Sequence, residues 1–383
     1  MIKRIVLTGG GSGGHIFPLV AVAEELKKVP ADLELYYVGP RGPLDSEFLE
    51  RDISVYPILG SKIRRYASFG NIVDIPKFFI SVLQALFRLY RIMPEAVFSK
   101  GGTGAFPVVF AAWFYRIPVV IHESDSVPGL QNRLSGKFAK KICIAFTGAA
   151  NYFDKKKIVF TGNPVRQELL RIANETIPHE KETLGFVDGV PLLFIVSGSQ
   201  GATRINRFVL DNLEAFLGEF QIYHQVGAAN VKESELLAAS VLGTLDETMK
   251  RRYKAVGFLA LHEIEAAYVS ADVILSRAGS SALSEIAAFG KPAVLIPLGG
   301  SANDHQRYNA YEYAKGGAAV VIEESNLTPH LVLNQIEKLL KEKETYAAMS
   351  AAAKAFSKPD AAQAIARELL AAVHLAQKPS GTL

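Results

Sequence analysis

Leu7-Thr8-Gly9-Gly10-Gly11-Ser12-Gly13-Gly14-His15 is the stretch that decides the fold. It follows an apolar, strand-like run at residues 4–7 and opens a segment at 17–26 whose apolar side chains share one helical face. Because glycine is costly in regular structure, five glycines in six positions indicate a tight turn rather than packing. Such a turn leaves amide groups open at a helix N-terminus, which suits a phosphate or diphosphate. With His15 at its end, the turn predicts an active site in an α/β unit.

The turn lacks the features of two common nucleotide-binding motifs. Read from Gly9 it fits G-x-G-x-x-G, but Tyr36-Tyr37-Val38-Gly39 occupies the place where a dinucleotide site needs an acidic residue. The Gly-Lys-Ser/Thr ending of a P-loop is also missing. These departures argue against NAD and ATP chemistry. They leave two interpretations, a different phosphate site or a purely structural turn.

Composition limits the class of protein further. A chain of 383 residues with 49% hydrophobic and 21% charged residues predicts a globular protein of two domains. A net charge of +4 is too small to indicate nucleic acid, but it is compatible with an anionic partner or membrane surface. The single cysteine, Cys143, excludes an internal disulfide and is expected to be a packed thiol. His122-Glu123 and Asp304-His305 lack zinc-site spacing, so we expect no metal and no cofactor.

The N-terminus runs directly into the first predicted strand, which leaves no room for a cleaved signal. No apolar run reaches the roughly 20 residues that span a bilayer. We therefore expect a cytoplasmic protein that is soluble or bound only to a membrane surface.

Short apolar runs alternate with helical patterns, which predicts parallel sheets covered by helices. The predicted strands are 5–8, 33–38, 96–99, 119–122, 141–145, 192–197, 220–225, 273–276 and 293–297. The strand at 192–197 leads into a second glycine-rich turn, Gly198-Ser199-Gln200-Gly201-Ala202, so the second half of the chain restarts like the first. We predict two Rossmann-like domains facing a cleft, at 1–164 and 165–345, with ligands at the carboxyl ends of the strands. Helices at 346–383 are expected to pack back toward the first domain.

Three further features have a functional and a structural interpretation. The run 276–285 places small hydroxyl residues at a helix start, where Glu285 chelates a ribose diol or merely caps the helix. Arg166, near the domain boundary, binds a diphosphate or is a surface arginine. The helix at 75–91 is apolar nearly all around and edged with cations, as in a core helix or one that enters a bilayer interface.

Taken together, these stretches resemble the MurG family of peptidoglycan synthesis, whose members are N-acetylglucosaminyltransferases. The resemblance lies in motifs that occur in the family's order between residues 5 and 310. The motifs are Gly10-Gly11-Ser12-Gly13-Gly14-His15-Ile16-Phe17-Pro18, Ser99-Lys100-Gly101-Gly102, His122-Glu123 with Pro128-Gly129, Gly162-Asn163-Pro164-Val165-Arg166, Gly198-Ser199-Gln200-Gly201-Ala202, the run 276–285, and Asp304-His305-Gln306 with Asn309-Ala310.

The resemblance implies a GT-B fold of two Rossmann-like domains and UDP-N-acetylglucosamine as the donor. It implies that Ser12, Gly13 and Gly14 approach the donor, that Arg166, Ser199 and Leu259 line the nucleotide site, and that Gln306 contacts the sugar. The diphosphate and ribose would be held by the start of one helix, with Glu285 on the ribose hydroxyls. The residues of that helix start are Ser280, Ser281, Ala282, Leu283, Ser284 and Glu285.

The family's reaction is an inverting transfer to the 4-hydroxyl of an undecaprenyl-linked N-acetylmuramoyl-pentapeptide, which converts lipid I to lipid II. The resemblance also implies a peripheral enzyme on an anionic membrane surface at the cytoplasmic face of the cell membrane, with no role for nucleic acid. His15 is the candidate base for the acceptor hydroxyl. The chain departs from the family at Asp125, where Asn is frequent, and at Thr103-Gly104-Ala105, which replaces bulkier residues.

Asp125 binds sugar hydroxyls or is itself the base, so two candidates for the base remain. The alternative functions are another GT-B glycolipid glycosyltransferase, a UDP-sugar 2-epimerase, and a nucleotide-sugar sensor without enzymatic activity.

Overall fold

The computed structural model describes residues 3–30, 32–60, 69–175, 181–198, 201–300 and 302–373. The chain divides into two compact units. Unit 1 comprises Met1–Arg166 together with Lys358–Leu383, and unit 2 comprises Gln167–Ser357.

Unit 1 is built on a seven-stranded parallel sheet in the order β3-β2-β1-β4-β5-β6-β7. Its strands are β1 Lys3–Gly9, β2 Leu33–Gly39, β3 Ser54–Pro57, β4 Ala96–Gly101, β5 Val119–Glu123, β6 Lys141–Ile144 and β7 Ile158–Phe160. Its helices are α1 Gly13–Lys27, α2 Ser46–Leu49, α3 Phe69–Ile92, α4 Ala105–Phe114 and α5 Leu130–Phe138, with short 3₁₀ helices at Thr147–Tyr152 and Lys155–Lys157.

Unit 2 repeats this plan with a six-stranded parallel sheet in the order β10-β9-β8-β11-β12-β13. Its strands are β8 Leu192–Val196, β9 Gln221–Gln225, β10 Tyr253–Val256, β11 Val273–Ser276, β12 Ala293–Leu295 and β13 Val320–Val321. Its helices are α6 Gln167–Asn174, α7 Thr203–Asp211, α8 Leu213–Glu219, α9 Val231–Leu242, α10 Glu247–Lys250, α11 Leu261–Ser270, α12 Ser280–Phe289, α13 His305–Lys315, α14 Pro329–Lys341 and α15 Lys343–Phe356. Short 3₁₀ helices lie at Lys181–Leu184, Ala228–Asn230, Ala302–Asp304 and Glu324–Asn326.

The last described helix, α16 Ala361–Ala372, returns to unit 1. Its apolar side chains, among them Ile365 and Leu369, share a core with Leu19 and Leu26 of α1. Helix α15, by contrast, ends within unit 2.

Helices on both faces of each sheet explain why the central strands read as continuous apolar runs. In β8 all five residues are buried, and in β1 the last five are buried. On the α1 face of the first sheet lies a core that includes Phe98 and Cys143, and burial raises the pKa of that thiol. The α/β fold with two Rossmann-like parallel sheets, typical of GT-B, is confirmed.

In each sheet the strand order reverses at one place, the topological switch point. Ligands in such folds bind at the switch point, outside the carboxyl ends of the strands. In unit 1 this switch point lies between β1 and β4. In unit 2 it lies between β8 and β11. The glycine-rich turns after residues 9, 101 and 198 and the run after Ser276 therefore lie at the switch points of their own units.

In the parts of the chain that the structure describes, no helix combines the length and apolar character needed to cross a bilayer.

Candidate active site

His15 lies in the first turn of α1, where the first glycine-rich turn ends. The N-cap residue Ser12 has extended backbone angles, and its hydroxyl lies 2.8 Å from Nδ1 of His15. The Ser12 carbonyl accepts the N–H groups of His15 and Ile16 at 2.9 and 3.0 Å. The serine side chain thus fixes the imidazole, while the first N–H groups of a helix have no partner within it.

The same imidazole also contacts the pair of glycines at the end of β4. Gly101 and Gly102 have φ angles of +80° and +84°, the left-handed region that favours glycine. The N–H of Gly10 donates to the carbonyl of Gly101 at 2.9 Å, which joins the two turns. A Cβ atom at residue 102 would lie only 2.7 Å from Nε2 of His15. The imidazole edge therefore lies so close to the backbone of residue 102 that no side chain fits there.

The turn after β5 is fixed by one carboxylate. Glu123, only 3% exposed, accepts the N–H of Asp125 at Oε1 and the side-chain amide of Asn132 at Oε2, both at 2.9 Å. The same Asn132 amide donates to the carbonyl of His122 at 3.1 Å. These hydrogen bonds tie the backbone that presents the half-buried Asp125 to α5.

Burial and charge shift the ionisation of this cluster. Burial, with a smaller contribution from the Lys100 cation, lowers the pKa of His15 to about 4, so the imidazole is neutral at physiological pH. Burial raises the pKa of Glu123 to about 7, and the charge of Asp125 adds to that effect. Burial lowers the pKa of Lys100 to about 8 although Glu123 and Asp125 oppose the shift. Unit 1 therefore brings the two candidate bases, His15 and Asp125, into one electrostatically coupled group.

Arg166 belongs to the same unit. Its guanidinium lies over the ring of Phe17 in α1, 4.7 Å from the ring centroid. This cation–π contact holds the arginine against the helix that carries His15.

The second glycine-rich turn of the chain follows β8 in unit 2. Gly198 and Gly201 have φ angles of +72° and +76°, while Ser199 and Gln200 lie outside the described residues. Behind the turn, the Asn206 amide oxygen accepts the Ser197 hydroxyl at 3.1 Å and lies 3.2 Å from Nε2 of His224. This buried network fixes the exits of two adjacent strands.

The start of α12 carries most of the sequence-predicted donor site. Ser280 is the first residue of this helix, and its carbonyl accepts the hydroxyl of Ser284 at 2.8 Å. Leu283 is fully buried and its N–H donates to Gly279, so its side chain and amide are both used within the protein. Ser281 and Ala282 are half-buried.

Glu285 lies six residues into α12, beyond the first turn, so it does not cap the helix. Its Oε2 accepts the hydroxyl of Tyr268 at 2.9 Å. Tyr268, itself buried in the core, thereby fixes the direction of this half-buried carboxylate.

The remaining predicted residues also lie at carboxyl ends of strands in unit 2. Leu259, 3% exposed, follows β10. Gln306 in the first turn of α13 accepts the N–H of Leu298 at 3.0 Å. Asn309 donates to the carbonyl of Ala278 at 3.2 Å, which ties α13 to the segment before α12.

Sequence reasoning left two groups without a role. One is the pair Lys100 and Asn132. The sequence signal for Lys100 is a lysine near the end of a buried strand, directly before two glycines. The other is Arg277, which donates to Glu324 at 2.7 Å and to the carbonyl of Ile296 at 3.1 Å beneath the start of α12.

The class of protein follows from comparison with known families. Residues 5–144 match the glycosyltransferase family 28 N-terminal domain and residues 192–365 match the glycosyltransferase family 28 C-terminal domain. These two matches fall on the two parallel sheets, and they define a glycosyltransferase of this family.

More specific relatives carry one common name. The chain is 36% identical over 347 residues to the UDP-N-acetylglucosamine–N-acetylmuramyl-(pentapeptide) pyrophosphoryl-undecaprenol N-acetylglucosamine transferase of Legionella pneumophila (strain Paris), covering 90% of this chain and 91% of that protein. The protein of that name from Caldanaerobacter subterraneus subsp. tengcongensis is 36% identical over 364 residues, covering 94% and 98%. The crystal structure of Acinetobacter baumannii MurG aligns with a TM-score of 0.71 and 27% identity, covering 96% and 99%. The chain belongs to the MurG family.

A UDP-GlcNAc 2-epimerase from Neisseria meningitidis aligns with a TM-score of 0.68, covering 97% of this chain and all of that one, but with 14% identity. That likeness shows a shared fold alone.

Proposed function

We propose that this protein transfers N-acetylglucosamine from UDP-N-acetylglucosamine to the 4-hydroxyl of undecaprenyl-linked N-acetylmuramoyl-pentapeptide, converting lipid I to lipid II. The observation that carries the proposal is the 36% identity, over about nine-tenths of the chain, to proteins named for this transfer. The epimerase and other GT-B alternatives have no comparable support, because their likeness is confined to the fold.

The proposed reaction is a single displacement with inversion. The acceptor oxygen forms the new bond to the anomeric carbon, the bond from that carbon to the diphosphate oxygen breaks, and the acceptor proton passes to the base. UDP leaves with its charge met by the N-terminal amides of α12. Each helix terminus contributes roughly 0.3–2 kcal/mol, so several such donors are needed.

His15 can accept the proton only through a ring nitrogen that carries none. A proton on Nδ1, donated to the Ser12 hydroxyl at 2.8 Å, leaves Nε2 free as the basic nitrogen. Nε2 is also the ring atom nearest to the position that a Cβ atom of residue 102 would occupy. In that tautomer the Ser12 hydroxyl accepts the Nδ1 proton, and Asp125 would bind the acceptor sugar or take the proton in place of His15.

On the donor side, we propose that the helix start 280–282 binds the diphosphate and that Glu285 accepts hydrogen bonds from the ribose hydroxyls. Tyr268 aims the carboxylate for that purpose. Ser199, Leu259 and Gln306 are proposed to contact the nucleotide and the sugar, and Gly13 and Gly14 to approach the donor. No role for a metal or cofactor is proposed.

We propose a peripheral position on the cytoplasmic face of an anionic membrane, and helix α3 supports the membrane contact. One stripe of the helix, with Ser81, Ala85 and Leu89 at 0% exposure, is packed inside unit 1. The opposite stripe is apolar and exposed, with Phe79, Leu83, Phe87 and Tyr90 between 55% and 66% accessible. Cationic side chains, Lys77, Arg88 and Arg91, lie along the same helix. An exposed apolar stripe edged by cations suits insertion among anionic lipid headgroups.

An acceptor-dependence assay tests the proposal. The protein is incubated with radiolabelled UDP-N-acetylglucosamine and vesicles that contain lipid I, diacylglycerol or neither. Label is expected to enter the lipid fraction with equimolar UDP release only when the acceptor is present. Conversion of the donor to its 2-epimer without acceptor would identify an epimerase. Transfer to diacylglycerol but not to lipid I would identify a different glycolipid synthase.

A further inference from the structure

A bulge at the end of β4 places Lys100 in unit 1. Along the pairing with β1, Thr8 faces Ser99 but Gly9 faces Gly101, so Lys100 is an extra residue on β4. An extra residue of this kind redirects a side chain and is frequent beside active sites. Lys100 is only 2% exposed, although it is a lysine at the end of a central strand.

The surroundings of Lys100 are polar and titratable. On the β5 side lie His122 and Glu123, at 0% and 3% exposure, followed by Asp125. On the α1 side lies His15, whose pKa the Lys100 cation lowers. Glu123 and Asp125 are the two anions that favour the charged form of Lys100. Burying an ammonium is costly unless anions compensate it, so this arrangement ties Lys100 to the turn that presents Asp125.

We propose that Lys100 is a positioning residue of the acceptor half of the site: its ammonium group, brought by the β4 bulge, holds the turn from Glu123 to Asp125 in place beside His15. The inference rests on the proposed transfer reaction and deepens it. Lys100 acts through its neighbours, whereas His15 or Asp125 takes the proton.

The consequence is a defined pH dependence. A positive charge near His15 disfavours the imidazolium, so removing the charge raises the pKa of His15. If the base must be unprotonated to act, the acidic limb of the pH profile of kcat/KM moves to higher pH in Lys100→Met. The expected displacement is about 1 pH unit, from a pKa of about 4, so the variant loses activity mainly below about pH 5.5 and little at pH 7. A purely structural role would lower the whole profile without displacing its limb.

Three variants make the comparison. Lys100→Arg keeps the charge and is expected to return the limb toward the wild-type position. Lys3→Met makes the same chemical change at the amino end of the same sheet, away from the site, and is expected to leave the profile unchanged. Superimposable limbs for Lys100→Met and the wild type would overturn the proposal.

A second measurement needs no turnover. The NMR signal of His15 is observed in protein with ¹⁵N-labelled histidine and is assigned by its loss in His15→Ala. In the wild type, this signal is expected to show a neutral imidazole down to about pH 5. It is expected to titrate at higher pH in Lys100→Met. A shifted His15 titration without lipid-dependent transfer would support the positioning role of Lys100 and reject the proposed function. Lipid-dependent transfer with an unshifted titration would support the proposed function and reject the positioning role. Should Lys100→Met fail to fold, ordinary titration of His15 near pH 6.5 in the wild type would by itself overturn the proposal.

Discussion

Replacing Gly102 by alanine tests whether the close approach of His15 to the Gly102 backbone is needed for transfer. The added methyl group would lie 2.7 Å from Nε2 and 2.8 Å from Cδ2 of His15, and 2.9 Å from the backbone nitrogen of Gly10. These distances fall about 0.7 Å short of ordinary contact, so the imidazole or one of the two glycine turns must move. We expect the change to impair both folding stability and turnover.

The two effects have separable magnitudes. A left-handed φ of +84° costs an alanine about 1–2 kcal/mol in folding free energy. For a unit of this size, that cost lowers the melting temperature by roughly 2–8 °C. Displacing the base by most of an ångström costs up to about 100-fold in turnover, so a loss of about 10- to 100-fold is expected.

Gly189→Ala is the matched control. Gly189 has a φ of +83°, and an added Cβ atom there meets no atom within 4 Å. The control therefore carries the same backbone cost without a displaced neighbour. The melting temperature by circular dichroism and the initial rate of acceptor-dependent UDP release are measured for both variants.

Gly102→Ala is expected to lose more turnover than Gly189→Ala when both show a similar fall in melting temperature. Equal turnover in the two variants would refute the reasoning, because it would mean that the position of the His15 imidazole does not matter. Asp125 would then be the remaining candidate for the base.

Three further expectations concern the base, the donor site and the lipid-facing stripe. His15→Ala is expected to lower turnover by about 100-fold or more with little change in UDP affinity, measured by steady-state kinetics and calorimetry, and near-normal turnover would exclude His15 as the base. Glu285→Gln is expected to raise the KM for UDP-N-acetylglucosamine by about 10-fold, because ribose loses a charged acceptor. Tyr268→Phe is expected to raise the same KM only a few-fold, because it releases the Glu285 carboxylate without removing it. A larger effect of Tyr268→Phe than of Glu285→Gln would contradict the ribose role. The double variant Phe79→Ser/Phe87→Ser is expected to weaken binding to anionic vesicles, measured by sedimentation, at least about tenfold. Its melting temperature is expected to stay unchanged, because both rings are exposed. Loss of folding instead would show that the stripe belongs to the core.

The sequence predicts the central strands well and the outer strands poorly. Among the strands that apolar runs do not predict are β3 and β7, the edges of the first sheet, and β10 and β13, the edges of the second. All four are at best half-buried, so their sequences lack the continuous apolar run that burial on both faces produces.

The sequence alone determines two parallel α/β units, the glycine turns at their strand ends and the position of His15 after the first strand, because each depends on local periodicity and on glycine's backbone freedom. Only the tertiary structure decides that Lys100 and Asp125 lie beside His15, since the strand order β1-β4-β5 brings together residues far apart in the chain. It alone also decides the neutrality of that imidazole. Burial and neighbouring charge set a pKa, and both arise from packing that no short stretch of sequence contains.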